Sequence, residues 1–162
     1  MRRIAVLTSG GDTPGMNAAI NAVVMTAKTH GLSVIGVEKG YAGLIEGRLF
    51  ELHSKDVRGM VNRGGTMLKT ARCLEMKTEE GRAQAIKVLN AFGVEGLVVI
   101  GGDGSFKGAK VLSDMGIATI GLPGTIDNDL AYTDYTIGFD TAVNCVVEEI
   151  SKIRDTMLSH ER

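Results

Sequence analysis

The chain has 162 residues, 44% of them hydrophobic, enough for one sizeable core and too few for two ordinary domains. Eighteen basic residues against 19 acidic ones leave a net charge of −1, with no basic block to hold nucleic acid and no acidic tail. Glycine numbers 22 and proline two, which favours tight turns and close backbone approaches over disordered linker.

The basic and apolar start, Met1–Thr8, breaks at Ser9-Gly10-Gly11. That is too early for a signal peptide or a membrane span, so Ile4–Thr8 reads as a first strand. Its glycine-rich loop opens a helix from Asn17 to His30, with Ile20, Val23, Val24 and Ala27 on one face and a stop at Gly31. Val34–Val37 forms the next strand. A short helix is expected after Ser54, using Val57, Met60 and Val61. Thr78 is placed to cap a helix that buries Ala83, Ile86 and Leu89 and closes at Gly93. Leu97–Ile100 is a strand, Ser105–Met115 a helix ended by Gly116, and Ala118–Leu122 a further strand. The last helix spans about Thr141 to Leu158, with Val143, Val146, Val147, Ile150, Ile153 and Met157 at its period. Strand alternating with helix predicts an α/β, Rossmann-like fold: a mostly parallel sheet sandwiched by helices, with no repeat or linker. Cys73 and Cys145, like His30, His53 and His160, lack metal or redox spacing, and the thiols read as free in a reducing compartment.

Ligands of such sheets sit beyond the carboxyl ends of the strands, where three loops fall: Ser9–Met16, Gly101–Ser105 and Pro123–Asp129. The first offers backbone N–H groups at a helix start, equally suited to a phosphate cradle and to an ordinary tight turn. Gly10 and Gly15 have Walker A spacing, but Met16 and Asn17 replace the required Lys and Ser/Thr, which excludes a P-loop. In the second, Asp103 among glycines supplies a hard oxygen that suits magnesium bound chiefly through phosphate and water. Gly108 comes one residue late for a dinucleotide fingerprint. In the third, an extended Thr125-Ile126-Asp127-Asn128-Asp129 would align Thr125, Asp127 and Asp129 on one side. One acid could then bind metal while the other takes a proton from an attacking hydroxyl. The segment Arg63–Arg72 adds flexible backbone before the cations Lys69 and Arg72, either of which could be a plain surface charge.

Jointly, Leu7–Asn17, Ile100–Ser105 and Leu122–Asp129 closely resemble the bacterial ATP-dependent 6-phosphofructokinases, in order along the whole chain. The resemblance implies the phosphofructokinase fold and transfer of the ATP γ-phosphoryl group to the 1-hydroxyl of fructose 6-phosphate, with Mg²⁺. It implies that Gly11, Arg72, Cys73, Gly102, Asp103, Gly104 and Ser105 line the ATP site. Asp103 would hold the metal, and Asp129 would support it or its waters. Asp127 would be the general base, Thr125 would contact the sugar hydroxyl and phosphoryl group, and Arg72 would neutralise transition-state charge. Ile126 lies in the same substrate segment, and Arg162 would reach the sugar phosphate across a subunit interface. Pyrophosphate-using relatives tend to carry Asp in place of Gly104 and Lys in place of Gly124, so two glycines favour ATP.

Departures from the family pattern set further expectations. Cys73 stands where an aromatic is usual, and Lys77 where Arg is frequent. Asn21, Met25 and Ser54 replace arginines of the effector pocket while Arg154 is retained, which predicts weak allosteric control. The resemblance further implies a cytoplasmic homotetramer that acts on ATP/ADP and fructose 6-phosphate, without nucleic acid or membrane. Residues 1–162 would be its ATP-binding domain, the second, sugar-phosphate domain being absent. The chain alone is therefore expected to be nearly inactive and to expose an apolar face. Two rivals stand beside this reading. A diacylglycerol- or NAD-kinase-like enzyme would explain residues 101–105 but not Thr125–Asp129. A non-enzymatic nucleotide-binding or assembly module would not need both Asp127 and Asp129.

Overall fold

A computed structural model describes residues 1–160. Five strands, β1 (Arg3–Thr8), β2 (Ser33–Val37), β3 (Leu49–Glu51), β4 (Gly96–Gly101) and β5 (Ala118–Pro123), form one sheet in the order β3-β2-β1-β4-β5. All neighbours are parallel except β2 and β3. The helices are α1 (Met16–Thr29), α2 (Gly40–Glu46), α3 (Glu79–Ala91), α4 (Asp103–Asp114) and α5 (Phe139–His160), with a 3-10 turn at Glu75–Lys77.

Strand alternation sends the core to both faces of the sheet. Ala5, Leu7, Val37, Leu97 and Val99 pack with Leu44 of α2, Leu89 of α3 and Leu112 of α4. Val6, Val34 and Ile100 pack on the other face with Met16, Ile20 and Val24 of α1. Burial on two sides is why these strands read as nearly continuous apolar runs. β1 lies between β2 and β4, so the connections leaving β1 and β4 diverge to opposite sides and open a crevice at their carboxyl ends.

The four predicted strands and four of the five predicted helices are present. The helix expected after Ser54 is not. Residues 54–62 form successive turns, Met60 N–H donating to Val57 O and Arg63 N–H to Met60 O, with Gly59 at φ 75°. Val57 is buried there, whereas Val61 is exposed. The α3 face differs in part: Leu89 is buried as expected, but Ala83 is exposed and Ile86 only partly buried, and Ala85 and Val88 are buried instead. Thr78 does cap it, its hydroxyl accepting from Gly81 N–H at 3.0 Å.

Two elements escaped the sequence reading. Helix α2 carries two glycines in seven residues, a composition that reads as loop. Gly43 is required by packing, since a Cβ there would collide with the Glu38 carbonyl. Strand β3 has three residues and little burial, too few for a periodic signal. Helix α5 has the expected apolar stripe, but Val143, Val146, Val147, Ile150, Ile153 and Met157 are exposed, as is Ile120 of edge strand β5. Among the described residues no helix is long and apolar enough to cross a membrane.

Candidate active site

The three loops are tied together before any ligand is considered. Ser9 N–H donates to Ile100 O at 3.0 Å, and Gly124 N–H to Gly101 O at 3.0 Å, extending both ladders beyond their strands. Ser105 Oγ, buried in the first turn of α4, donates to Ser9 O at 3.0 Å. Gly101 admits no side chain, because a Cβ would strike Ser105 Oγ and Ser9 O. Beneath this junction Tyr41 of α2 donates its hydroxyl to Ser105 O at 2.6 Å, and burial pushes the phenol well above its ordinary pKa.

The third loop is clamped from the chain that follows it. Thr136 Oγ1 donates to Thr125 O at 2.6 Å, and Thr136 N–H to Asn128 Oδ1 at 2.9 Å. Asn128 Nδ2 donates in turn to Asp134 O at 3.2 Å. Thr125–Asp129 is therefore not the extended segment expected. Asn128 is left-handed at φ 51°, and Asp127 N–H donates to Thr125 Oγ1 at 3.2 Å, a hydroxyl turn that bends the backbone. The same hydroxyl lies 3.3 Å from Asp127 Oδ2 and donates to it.

Asn17 anchors the arginine-bearing segment. It is 1% exposed, and its amide donates to Arg63 O at 3.0 Å and Gly64 O at 3.2 Å while accepting from Met67 N–H at 2.8 Å. Thr8 at the end of β1 donates to Lys69 O and shares a hydroxyl contact with Thr66. Lys69 itself turns away, its ammonium 2.6 Å from Glu38 Oε1. Of the two cations left open by the sequence, Arg72 faces the cleft and Lys69 does not.

The result is an open cleft of about 1220 Å³ at the crevice between β1 and β4. It collects Gly11, Arg72, Cys73, Gly102, Asp103, Gly104, Ser105, Thr125, Asp127 and Asp129, every described candidate except Ile126 and Arg154. Ile126 is half exposed and lines none of it. Arg154 is exposed on α5 beside Asp155, and Arg162 lies outside the described residues. A smaller cleft near Ser54 is lined by Lys28, Glu51 and His53 but not by Arg154. Sequence reasoning passed over Tyr41, Arg82 and Lys107 in the main cleft. Lys107 stands four residues after Asp103, but the helix expected from sequence begins only at Ser105, so the pair does not fall on one expected helix face. The Lys107 ammonium sits 2.6 Å from Asp103 Oδ2, which raises the pKa of the amine. Burial pushes the Cys73 thiol up, and the neighbouring Glu75 adds to this.

The donor chemistry suits a hard divalent ion held mainly by a phosphate ligand. Among the described residues no three His, Cys, Asp or Glu side chains converge, but Asp103 and Asp129 both face the cleft. Asp103 already attracts a cation, the ammonium of Lys107. The cleft thus carries four cations, Arg72, Lys77, Arg82 and Lys107, with three carboxylates, Asp103, Asp127 and Asp129. That arrangement can bind a polyphosphate, position a metal and accept a proton.

Residues 3–162 match the family described as Phosphofructokinase. The chain is 67% identical over 162 residues to "ATP-dependent 6-phosphofructokinase 1" of Clostridium perfringens and 65% identical to "ATP-dependent 6-phosphofructokinase" of Clostridium botulinum. All of this chain is covered in each case, and 51% of the relative, so the chain spans about half the length of the curated relatives it matches. A solved phosphofructokinase from Saccharomyces cerevisiae superimposes with a TM-score of 0.91 at 41% identity, over 100% of this chain and 25% of that one. A pyrophosphate-dependent phosphofructokinase from Marinobacter aquaeolei gives 0.73 at 26%, over 86% and 37%. The diacylglycerol- and NAD-kinase-like reading is thereby displaced. The chain belongs to the phosphofructokinase family.

Proposed function

We propose that residues 1–162 form the nucleotide-binding half of an ATP-dependent 6-phosphofructokinase, which transfers the γ-phosphoryl group of ATP to the 1-hydroxyl of fructose 6-phosphate. The observation that carries this reading is the meeting of Arg72, Asp103, Thr125, Asp127 and Asp129 in one cleft. Each residue then has a chemical task. Asp127, held by its contacts with Thr125, takes the proton of the attacking hydroxyl. Thr125 orients that hydroxyl and the transferring group, and Arg72 balances the charge that develops on the phosphoryl oxygens. Asp103 and Asp129 would hold Mg²⁺, which would supply positive charge to offset the negative charge of the phosphate oxygens.

Gly104 supports ATP over pyrophosphate. A Cβ there would meet nothing within 4 Å, so the glycine is not demanded by packing and leaves the cleft wall open. The same reading carries a cytoplasmic homotetramer with weak effector control. Asn21 spends its amide on Val57 O at 3.1 Å, so it offers an effector phosphate no charge and little hydrogen bonding. Strong, ADP-relieved inhibition by phosphoenolpyruvate would contradict that last point.

The test is a coupled assay on the full-length enzyme carrying this sequence, with ATP and fructose 6-phosphate. Asp127→Ser should lower kcat by about 10²–10⁴ with little change in nucleotide affinity, the loss expected for a missing general base. The 162-residue chain should bind nucleotide without appreciable turnover, since donor and acceptor must be held in line. An unchanged rate in the Asp127→Ser enzyme would favour a binding module without chemistry.

A further inference from the structure

Four cations line the cleft, and among the described residues Arg72, Lys77 and Arg82 make no ion pair. Arg82 instead donates to the backbone at Thr78 O and Lys77 O. Lys107 differs, pairing at 2.6 Å with Asp103, one of the two carboxylates proposed above to hold the metal. We propose that Lys107 is a phosphate-binding residue of the nucleotide cleft whose ammonium exchanges between Asp103 and the phosphate oxygens, so that it competes with a divalent cation for Asp103. The proposal rests on the ATP reading above and assigns one more residue to that site.

Three observations support the exchange. First, the pair is exposed on both sides, at 76% for Lys107 and 60% for Asp103. Exposed pairs of this spacing are weak, so a divalent ion can displace the ammonium at little cost. Second, the displaced ammonium cannot go far. Lys107 stands one turn into α4 and lines the same cleft as Gly104, where a Cβ would meet nothing within 4 Å. Third, the other acid–base pairs of this spacing, Lys110–Asp114 and Lys152–Glu148, line neither cleft. The Asp103–Lys107 pair is thus not simply a repeated feature of helix surfaces here. A divalent ion on Asp103 would repel the Lys107 ammonium and compete with it for the carboxylate, and the phosphates of a bound nucleotide would offer the ammonium a second anionic partner.

The experiment uses the full-length enzyme, with Lys107→Gln and Lys107→Arg variants. Free Mn²⁺ is titrated by electron paramagnetic resonance without nucleotide, and MgATP binding is measured separately by calorimetry. Lys107→Gln should tighten Mn²⁺ binding about two- to fivefold, the size of an exposed ion pair, and weaken MgATP binding about three- to tenfold. Lys107→Arg should stay within about twofold of the wild type in both, since the charge is kept. Opposite signs in the two titrations are the signature. Unchanged Mn²⁺ affinity in Lys107→Gln, or MgATP binding that is unchanged or tighter, overturns the proposal. Turnover of fructose 6-phosphate by the wild type is scored on its own, so failure of the functional reading is distinguishable from failure of this one.

Discussion

Thr136 Oγ1 donates to the Thr125 carbonyl across 2.6 Å, joining the segment that precedes α5 to the loop that carries the acid pair. Thr136 is 4% exposed, and its N–H is also spent on Asn128 Oδ1, so one residue fixes the loop at two points. Thr136→Val keeps the shape and removes the hydroxyl, leaving the Thr125 carbonyl without its partner. The expected loss is about 1–3 kcal/mol of stability, read by chemical or thermal denaturation. Catalysis should suffer more than binding. A loosened Thr125–Asp129 turn should lower kcat about tenfold or more, because small misplacement of reacting groups is costly. Nucleotide affinity should hold within about twofold, since Gly102–Ser105 are anchored independently through Ser9 and Tyr41.

Asn17 acts on the site through backbone rather than by contact. Its three hydrogen bonds to Arg63, Gly64 and Met67 hold the start of the strap that ends at Arg72. If that is its route to function, Asn17→Ala and Arg72→Ala should not add. Asn17→Ala alone should lower kcat more than it raises KM for ATP. In an Arg72→Ala background it should lower kcat by no more than about twofold further, since interacting sites fail additivity. Full additivity in the double-mutant cycle would assign Asn17 to folding alone.

The sequence exposed the strands, the loops and most of the chemistry because each left a local signature. Double-sided burial made Ile4–Leu7 and Leu97–Ile100 apolar throughout, and the glycine at 101 followed directly from close packing against Ser105 and Ser9. What stayed hidden depended on distant chain. Asn17 stood in a position defined by the motif it failed to match, while its partners lay 46 to 50 residues away. Tyr41 entered the site on a helix whose glycines disguised it, and its partner Ser105 is 64 residues distant. The acids of the third loop were found for a partly mistaken reason. Alternation along a strand was expected to align them, whereas a hydroxyl turn at Thr125 and a left-handed Asn128 bend the chain that bears them.

Gly104 permits a clean separation of fold from specificity. It lies in the first turn of α4 with open space where a Cβ would be, and an added acid there is tolerated by the helix dipole. Gly104→Asp should therefore keep Tm within about 2 °C of the parent, as surface changes generally do. The new carboxylate would narrow the cleft and place a second negative charge beside Asp103. KM for ATP should rise by about tenfold or more, since like charges disfavour a polyphosphate in the same space. A strongly lowered Tm would mean that the glycine is structural, contrary to the open space around it.

Cys73 provides a probe of the cleft that needs no sugar. Its side chain is partly buried against Met76 and the core face below, and its Sγ–H points to Glu75 Oε2 at 3.7 Å. Burial first, and the Glu75 charge after it, favour the thiol over the thiolate and hold its pKa above the ordinary range. The thiolate is the reactive form, so alkylation by iodoacetamide should be slow at pH 8 and rise with pH. Its midpoint should lie above the usual value of about 8.5. The sign is fixed by the direction of the shift: at any pH below that midpoint, less of Cys73 is ionised than of a free cysteine. Because Cys73 lines the main cleft, the nucleotide reading predicts that MgATP slows its alkylation at constant pH and leaves Cys145, which lies on α5, unaffected. Peptide-resolved mass spectrometry follows both residues in one sample. Equal protection of the two cysteines, or a Cys73 midpoint at or below the ordinary thiol value, would place Cys73 outside the surroundings described for it.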